Sequence, residues 1–278
     1  MYKKSYGIIE ALAPLHVGAT AGEESGNLNL IFRDQFTQTG IIPGSSIRGR
    51  LRSEMRLEHG ENEANYWYGN SADSEQSEVN NESIVKFEYA SIVWLPVFCP
   101  GQPIVWVSCP LLLKRYQRIA GDVVKVNDKL LKDIDIPEKY TGSRNLKARE
   151  SKGTKTLFFN LGFLTIKKNQ DLSPWFPLGK EMPAVIVDDN DISMIHDMAL
   201  YRQSRVRLKA DQKVVDGGGF FNTEALPEGT ILVFPIAVRD DKSGKKWEPF
   251  NGAPTTDIYL GGLESIGFGH CNLTLQGM

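Results

Sequence analysis

"RDQFTQTGIIPGSSIRGRLRSEMRLEHG", residues 33–60, turns at Pro43-Gly44 and then packs four arginines into a short run. Ser45 or Ser46 is placed to cap a helix of roughly residues 46–58, since a serine oxygen just before an apolar-periodic run accepts a free N–H of the first turn. Ile47, Leu51 and Met55 fall at i, i+4 and i+8, an apolar seam for a core. Arg48, Arg52 and Arg56 repeat at the same interval beside that seam, with Arg50 elsewhere. The pattern predicts one helix face for the core and one stripe for an anion. A helix start after Gly-Ser-Ser offers N–H groups and positive dipole to phosphate, and Arg48, Arg50 and Arg52 add guanidiniums suited to its oxygens. Several phosphates in a row mean a nucleic-acid backbone. A solvated arginine face with a capping serine is the alternative.

Working outward, the stretch before this one, "HVGATAGEESGNLN" (residues 16–29), is too polar for a core and reads as a functional loop after a first strand, "KSYGIIEAL" (residues 4–12). It and its flank hold candidate catalytic groups: His16, the Glu23–Glu24 pair, Asn29 and Asp34, which read otherwise as ordinary loop polar residues. Downstream, "NSADSEQSEVNNES" (residues 70–83) reads as a mobile acidic loop. "SIVKFEYASIVWLPVF" and "QPIVWVSCPLLLKRY" have strand-like density of branched and aromatic residues. In the latter, Lys114, Arg115 and Arg118 surround Tyr116, a composition suited to single-stranded nucleic acid or, equally, a strand-end surface patch. Residues 120–155 are polar and lysine-rich with poor periodicity and read as an insertion projecting from the domain. "TLFFNLGFLTIKK" reads as another strand, and "MPAVIVDDNDISMIHDMAL" as strand, aspartate cap and helix. The glycine-rich "YLGGLESIGFGH" (residues 259–270) admits a ligand or a neighbouring backbone at close range, or makes a tight turn. Strands and helices mix without strict alternation, so the fold class is α+β, in one domain over 1–278.

Composition narrows the function classes. A formal net charge of −2 argues against a freestanding histone-like binder and leaves room for a local basic groove. The three cysteines, Cys99, Cys109 and Cys271, form no CxxC pair, so neither a disulfide framework nor a structural zinc is expected, and a reducing cytoplasm fits. The amino-terminal run "MYKKSYGIIEALAPLHVG" is too short and broken for a membrane span. No nucleotide-binding or metal-binding motif stands in the chain.

Taken in order, "LHVGA", "TGIIPGSSIRGRLR", "VWVSCPLLLKRY", "RVRLKADQKVVDGGGFFNTEALPEGTILV" and "GGLESIGFG" resemble the RAMP superfamily. More narrowly, they are similar to the backbone subunit of type III-B (Cmr) CRISPR effector complexes. The resemblance implies a modified ferredoxin-like (RRM-like) palm with an inserted thumb, for which 120–155 is the natural candidate. It implies binding to a guide CRISPR RNA and its complementary target RNA, alongside other type III subunits and copies of itself in a filament, with no membrane. It places Gly44, Ser45, Ser46, Arg48, Arg50 and Arg52 on the guide backbone, with Lys114, Arg115, Gly262, Gly267 and Gly269 as further RNA contacts. Family members cleave target RNA with an aspartate in a pattern like "GVVDxPIxRExxTG". Here the run is "GNLNLIFRDQFTQTG", which puts Asn29 in the aspartate's place when anchored on Gly26 and Leu30 when anchored on Thr39-Gly40. An amide cannot supply the carboxylate's charge, so cleavage is expected to be weak or lost, with Mg²⁺ or Mn²⁺ entering only if it is retained. Two alternatives stay open. One is an active metal-dependent endoribonuclease using Asp34, Glu23 or Glu24; the other is a standalone ribonuclease processing precursor repeat RNA through His16.

Overall fold

The computed structural model describes residues 1–18, 28–70, 82–160, 162–208, 215–240 and 243–278. The chain opens on strand β1 (Tyr2–Ala11), with short strands β2 (Leu28–Asn29) and β3 (Ile41–Ile42) leading to helices α1 (Gly44–His59) and α2 (Glu61–Tyr68). Strands β4 (Val85–Phe87), β5 (Ala90–Cys99) and β6 (Gln102–Ser108) precede helix α3 (Pro110–Ala120). Short strands follow: β7 (Lys125–Val126), β8 (Lys129–Leu130), β9 (Thr141–Ser143), β10 (Arg149–Ser151), β11 (Thr154–Phe159), β12 (Gly162–Ile166), β13 (Lys168–Gln170) and β14 (Ala184–Ile186). Helix α4 (Ile192–Ala199) leads into long β15 (Tyr201–Leu208) and β16 (Val215–Ala225), then β17 (Ile231–Arg239), β18 (Thr255–Tyr259) and β19 (His270–Gln276).

One mixed sheet organises the molecule in the order β13-β9-β14-β6-β5-β17-β1-β19-β18, with β3 also on β5 and β4 also on β17. Within it β1 lies antiparallel to both β17 and β19. Alternate residues of β1 serve two cores: Ile9 and Ala11 face the side closed by Ile47, Leu51 and Met55 of α1, while Tyr6 and Ile8 face Leu113, Tyr116 and Ala120 of α3. A strand covered on both faces reads as a continuous apolar run, which is what "YGII", residues 6–9, is. The predicted seam of α1 is fully used, at about 1.5–3 kcal/mol per buried side chain. The α+β class therefore holds.

Several local expectations are corrected. Helix α1 starts at Gly44, with Pro43 as its cap residue and no side-chain cap, so Ser45 and Ser46 lie inside the first turn. "CPLLLKRY" is a helix with proline at its first position, where the missing N–H costs nothing. Tyr116 is core, so the aromatic that was to interleave with Lys114 and Arg118 is unavailable to a ligand. "TLFFNLGFLTIKK" is a hairpin of two strands, β11 and β12. None of the aspartates caps α4 through its side chain; Asp189 instead accepts the Leu111 N–H at the start of α3, 2.9 Å away.

Residues 120–155 do not make one unit. The stretch after α3 folds back on it, with Leu131 buried and the Gln117 amide donating to the carbonyls of Leu131 and Ile134. Next, β9 enters the main sheet, and β10 opens a separate three-stranded sheet with β11 and β12. What leaves the main sheet at greatest length is the β15–β16 ribbon, joined by β2. Most of the acidic 70–83 stretch, residues 71–81, lies outside the described residues, as do Glu23 and Glu24.

Candidate nucleic-acid interface

The α1 start is built by close approach. A Cβ on Gly44 would sit 2.6 Å from the Phe87 carbonyl oxygen, so only glycine lets the helix begin against the β4–β5 turn. The Ser46 and Ile47 N–H groups donate to the Pro43 carbonyl at 3.0 and 3.3 Å, so with no acidic residue in the first turn and no side-chain cap, the N–H groups of Gly44 and Ser45 and the dipole are left for an anion.

The arginine stripe has partners inside the chain that its spacing did not reveal. Arg48 donates to the carbonyl of Tyr68, the last residue of α2, where the helix dipole is negative. Arg52 donates to Asn65 Oδ1 at 2.6 Å and lies 3.4 Å from Glu61. Arg56 stands 3.8 Å from Glu61. This stripe fastens α1 to α2. Arg50 points the other way, pairing with Glu54 at 2.5 Å and lying 3.9 Å from Glu264 of the glycine-rich loop. Its Nε is buried without a partner among the described residues.

That loop wraps the exit of β1. The His16 carbonyl accepts the Gly262 N–H at 2.9 Å, and a Cβ on Gly261, at φ +83°, would sit 2.2 Å from the same oxygen. Gly269 is likewise spent on backbone approach, to the Leu260 carbonyl; Gly267 faces open space, and Gly262 has only the His16 ring edge within 4.0 Å. The imidazole of His16, 8% exposed, donates from Nδ1 to the Glu224 carbonyl at 2.6 Å, which leaves the Nε2 lone pair facing Gly18.

Asn29 lies beside this histidine's partner. In the parallel pairing of β2 with β16 it sits opposite Thr223, next to Glu224. Sequence reasoning missed Glu224, a carboxylate whose side chain is 5% exposed and whose oxygens are taken by Arg33 and Arg202, each at 3.2 Å. Its signal was a lone acid in the buried run "NTEAL". Arg33 also pairs with Asp197.

Asp34 sits on a different flank. Its Oδ1 accepts the N–H groups of Phe36 (3.0 Å) and Thr37 (2.8 Å) and the Thr37 hydroxyl (3.0 Å), and its Oδ2 the Tyr89 hydroxyl (3.3 Å). Burial raises its pKa, but the hydrogen bonds from Thr37, Phe36 and Tyr89 outweigh that and hold it below the usual carboxylate range. The carboxylate builds a turn. The Arg115 guanidinium lies 3.9 Å over the Tyr89 ring and donates to Ser91 Oγ and the Tyr89 carbonyl. Burial pushes the Tyr89 phenol up, opposed by the charges of Arg115 and Arg118. Lys114 and Arg118 are exposed.

Tyr89 therefore joins two of the predicted RNA-contact regions, the α1 start at Glu88 and the basic side of α3. A second cluster gathers His16, Asn29, Glu224 and Gly262, linked to α1 through Arg50. Among the described residues a divalent ion finds no fit: Asn29 is neutral, Glu224 is held by two guanidiniums and Asp34 by four donors, and no three acidic, histidine or cysteine side chains converge.

Comparison with known proteins places this geometry. Residues 8–272 match the family model of the RAMP superfamily. A CRISPR system Cmr endoribonuclease, Cmr4 of Pyrococcus furiosus, is 25% identical over 95% of this chain and 93% of its own. The fold is shared with a type III-B Cmr-beta apo cryo-EM structure (TM-score 0.73, 21% identity, 98% of this chain and 96% of that one). It is shared also with oligomeric Cmr4 from Pyrococcus furiosus (TM-score 0.68, 17% identity, 99% and 98%). The match runs from β1 to β19 across both clusters, and the chain belongs to the RAMP superfamily.

Proposed function

We propose that this chain is a guide-RNA-binding backbone subunit of a type III CRISPR effector in the cytoplasm, with target-RNA cleavage weak or lost. Its α+β body acts as the ferredoxin-like palm, and the β15–β16 ribbon, in place of 120–155, supplies the thumb set between guide and target. Guide phosphates lie on the open start of α1 at Gly44, Ser45 and Ser46, with Arg50, Lys114 and Arg118 as the cations, while Gly262 and Gly267 let the strand pass close to the backbone. Similarity to Cmr4 over almost the whole chain supports the class. The loss of cleavage is carried by one observation: Asn29, which takes the aspartate's place when the family pattern is anchored on Gly26, lies opposite Thr223 and next to Glu224, and the described carboxylates nearby are committed elsewhere.

The likeness to a named endoribonuclease supports a second reading, in which a carboxylate outside the described residues, Glu23 or Glu24, cuts in the aspartate's stead. End-labelled complementary RNA, offered with Mg²⁺ or Mn²⁺ to the effector complex carrying this chain or its Asn29→Asp variant, separates the two. A silent wild type and a variant that cuts at regular intervals is the expected result. Wild-type cutting abolished by changing Glu23 or Glu24 overturns it.

A further inference from the structure

The turn after Arg33 displays one aromatic ring almost wholly to solvent: Phe36 is 89% exposed. Its backbone is fixed on every side. Besides the three bonds to Asp34 Oδ1, the Asp34 N–H donates to the Thr39 carbonyl at 2.8 Å and the Gln38 N–H to the Asp34 carbonyl at 3.0 Å, with Thr37 and Thr39 joined by their hydroxyls at 2.8 Å. So much hydrogen bonding around a ring with so little cover is the construction of a presented side chain. The flanking Gln35 and Gln38 are exposed and polar. The turn is anchored through Tyr89, which carries Arg115 on its face and feels Arg118.

We propose that Phe36 is a stacking platform for an unpaired base of the bound RNA strand, a subsite that rests on the RNA-binding reading above. A protein anchor would sit within a contiguous apolar patch, whereas a ring flanked by the exposed amides of Gln35 and Gln38, on a turn held by the Tyr89 that carries Arg115, matches a base with its phosphates. Tyr89 places the platform beside the α1 start, so one strand lying on the helix N–H groups meets the ring.

The test uses the full chain, Phe36→Ala and Phe36→Trp, against two labelled single strands of equal length, oligouridine and an abasic ribose-phosphate chain. Phe36→Ala is expected to weaken oligouridine binding by about 5- to 150-fold, to leave the abasic strand unmoved, and to unfold at the wild-type temperature, while Phe36→Trp restores affinity. Unchanged oligouridine binding by Phe36→Ala overturns the platform and leaves the RNA-binding reading standing. Equal loss on both strands overturns it as well. A fall in self-association by light scattering with RNA affinity intact assigns the ring to a second protein chain and overturns it too. A wild type that binds neither strand fails the RNA-binding reading itself.

Discussion

Arg48 and Arg50 are two residues apart on α1 and are expected to fail in opposite ways. Arg48 gives a charge-assisted hydrogen bond to the last carbonyl of α2, where truncation leaves that carbonyl without its cation. Such a bond contributes about 1.5–3 kcal/mol, and the helix dipole adds several tenths more. Arg48→Ala is therefore expected to destabilise by about 2–3 kcal/mol, a fall in Tm of roughly 3–6 °C for a chain of this size. Arg50 is half exposed, and its one close partner is Glu54 at i+4, a pair that contributes only about 0.3–0.5 kcal/mol. Arg50→Ala should leave Tm within a degree or two. On single-stranded RNA the order reverses: log K against log salt should lose about 0.7 of its slope with Arg50→Ala and nothing with Arg48→Ala. Thermal unfolding by circular dichroism and a filter-binding salt series read both quantities on the same preparations. An Arg48→Ala protein with full Tm and a shallower salt slope would refute the assignment of the 48/52/56 stripe to α2.

Other outcomes follow from the buried groups. His196, fully buried and accepting the Gly40 N–H on Nε2 at 2.9 Å, has its pKa pushed down to about 4 by burial and by Arg33. Between pH 6.5 and 4 the unfolded chain binds this proton and the fold does not, so stability falls as pH drops through that window, by about 3 kcal/mol. His196→Gln, which keeps an acceptor for Gly40, should flatten that part of the pH–Tm curve. Glu224→Gln removes the charge between Arg33 and Arg202 but leaves Arg33 on Asp197 and Arg202 half exposed, and should cost about 1–3 kcal/mol in urea unfolding. Gly261→Ala, which would drive a Cβ into the His16 carbonyl, should cost about 2–4 kcal/mol, whereas Gly267→Ala, facing open space at φ +95°, should cost about 1 kcal/mol; thermal unfolding of the pair separates close approach from backbone strain.

Local signals were legible where the sequence carried its own periodicity. The Ile47–Leu51–Met55 seam, the β1 run and the α+β mixture all came from short-range pattern, because burial on one face leaves a period in the residues themselves. Partner choice left no such trace. Nothing in "SIRGRLRSEMR" says that three of its arginines find Tyr68, Asn65 and Glu61 on the next helix, since that depends on how α2 packs. Asp34 stood among the candidate catalytic groups, yet the turn claims its oxygens. Residues 120–155 read as a projection because β7, β8, β9 and β10 are two or three residues long, too short to show a period of two. "CPLLLKRY" misread as strand because a leucine run is apolar in either period; Pro110 at the first helical position was the available signal.

The answer to why a chain of net charge −2 concentrates arginines on one helix is that most of them are spent inside the chain. Arg48, Arg52 and Arg56 bind α2, Arg33 and Arg202 close on Glu224, and Arg115 lies on Tyr89. On the proposed reading an RNA strand meets mostly backbone at the open start of α1, with Arg50, Lys114 and Arg118 as the cations nearby, since the N–H groups of Gly262, Gly267 and Gly269 are bonded within the chain. Backbone N–H groups carry no net charge and read no base, so they hold any sequence, and three cations neutralise only a few phosphates. On that reading a single copy grips RNA weakly and without preference. Copies laid side by side on one strand bind as a linked array, where each added contact is intramolecular and the weak holds multiply. Local pairing of the arginines thus favours a subunit that works in a row over one that works alone.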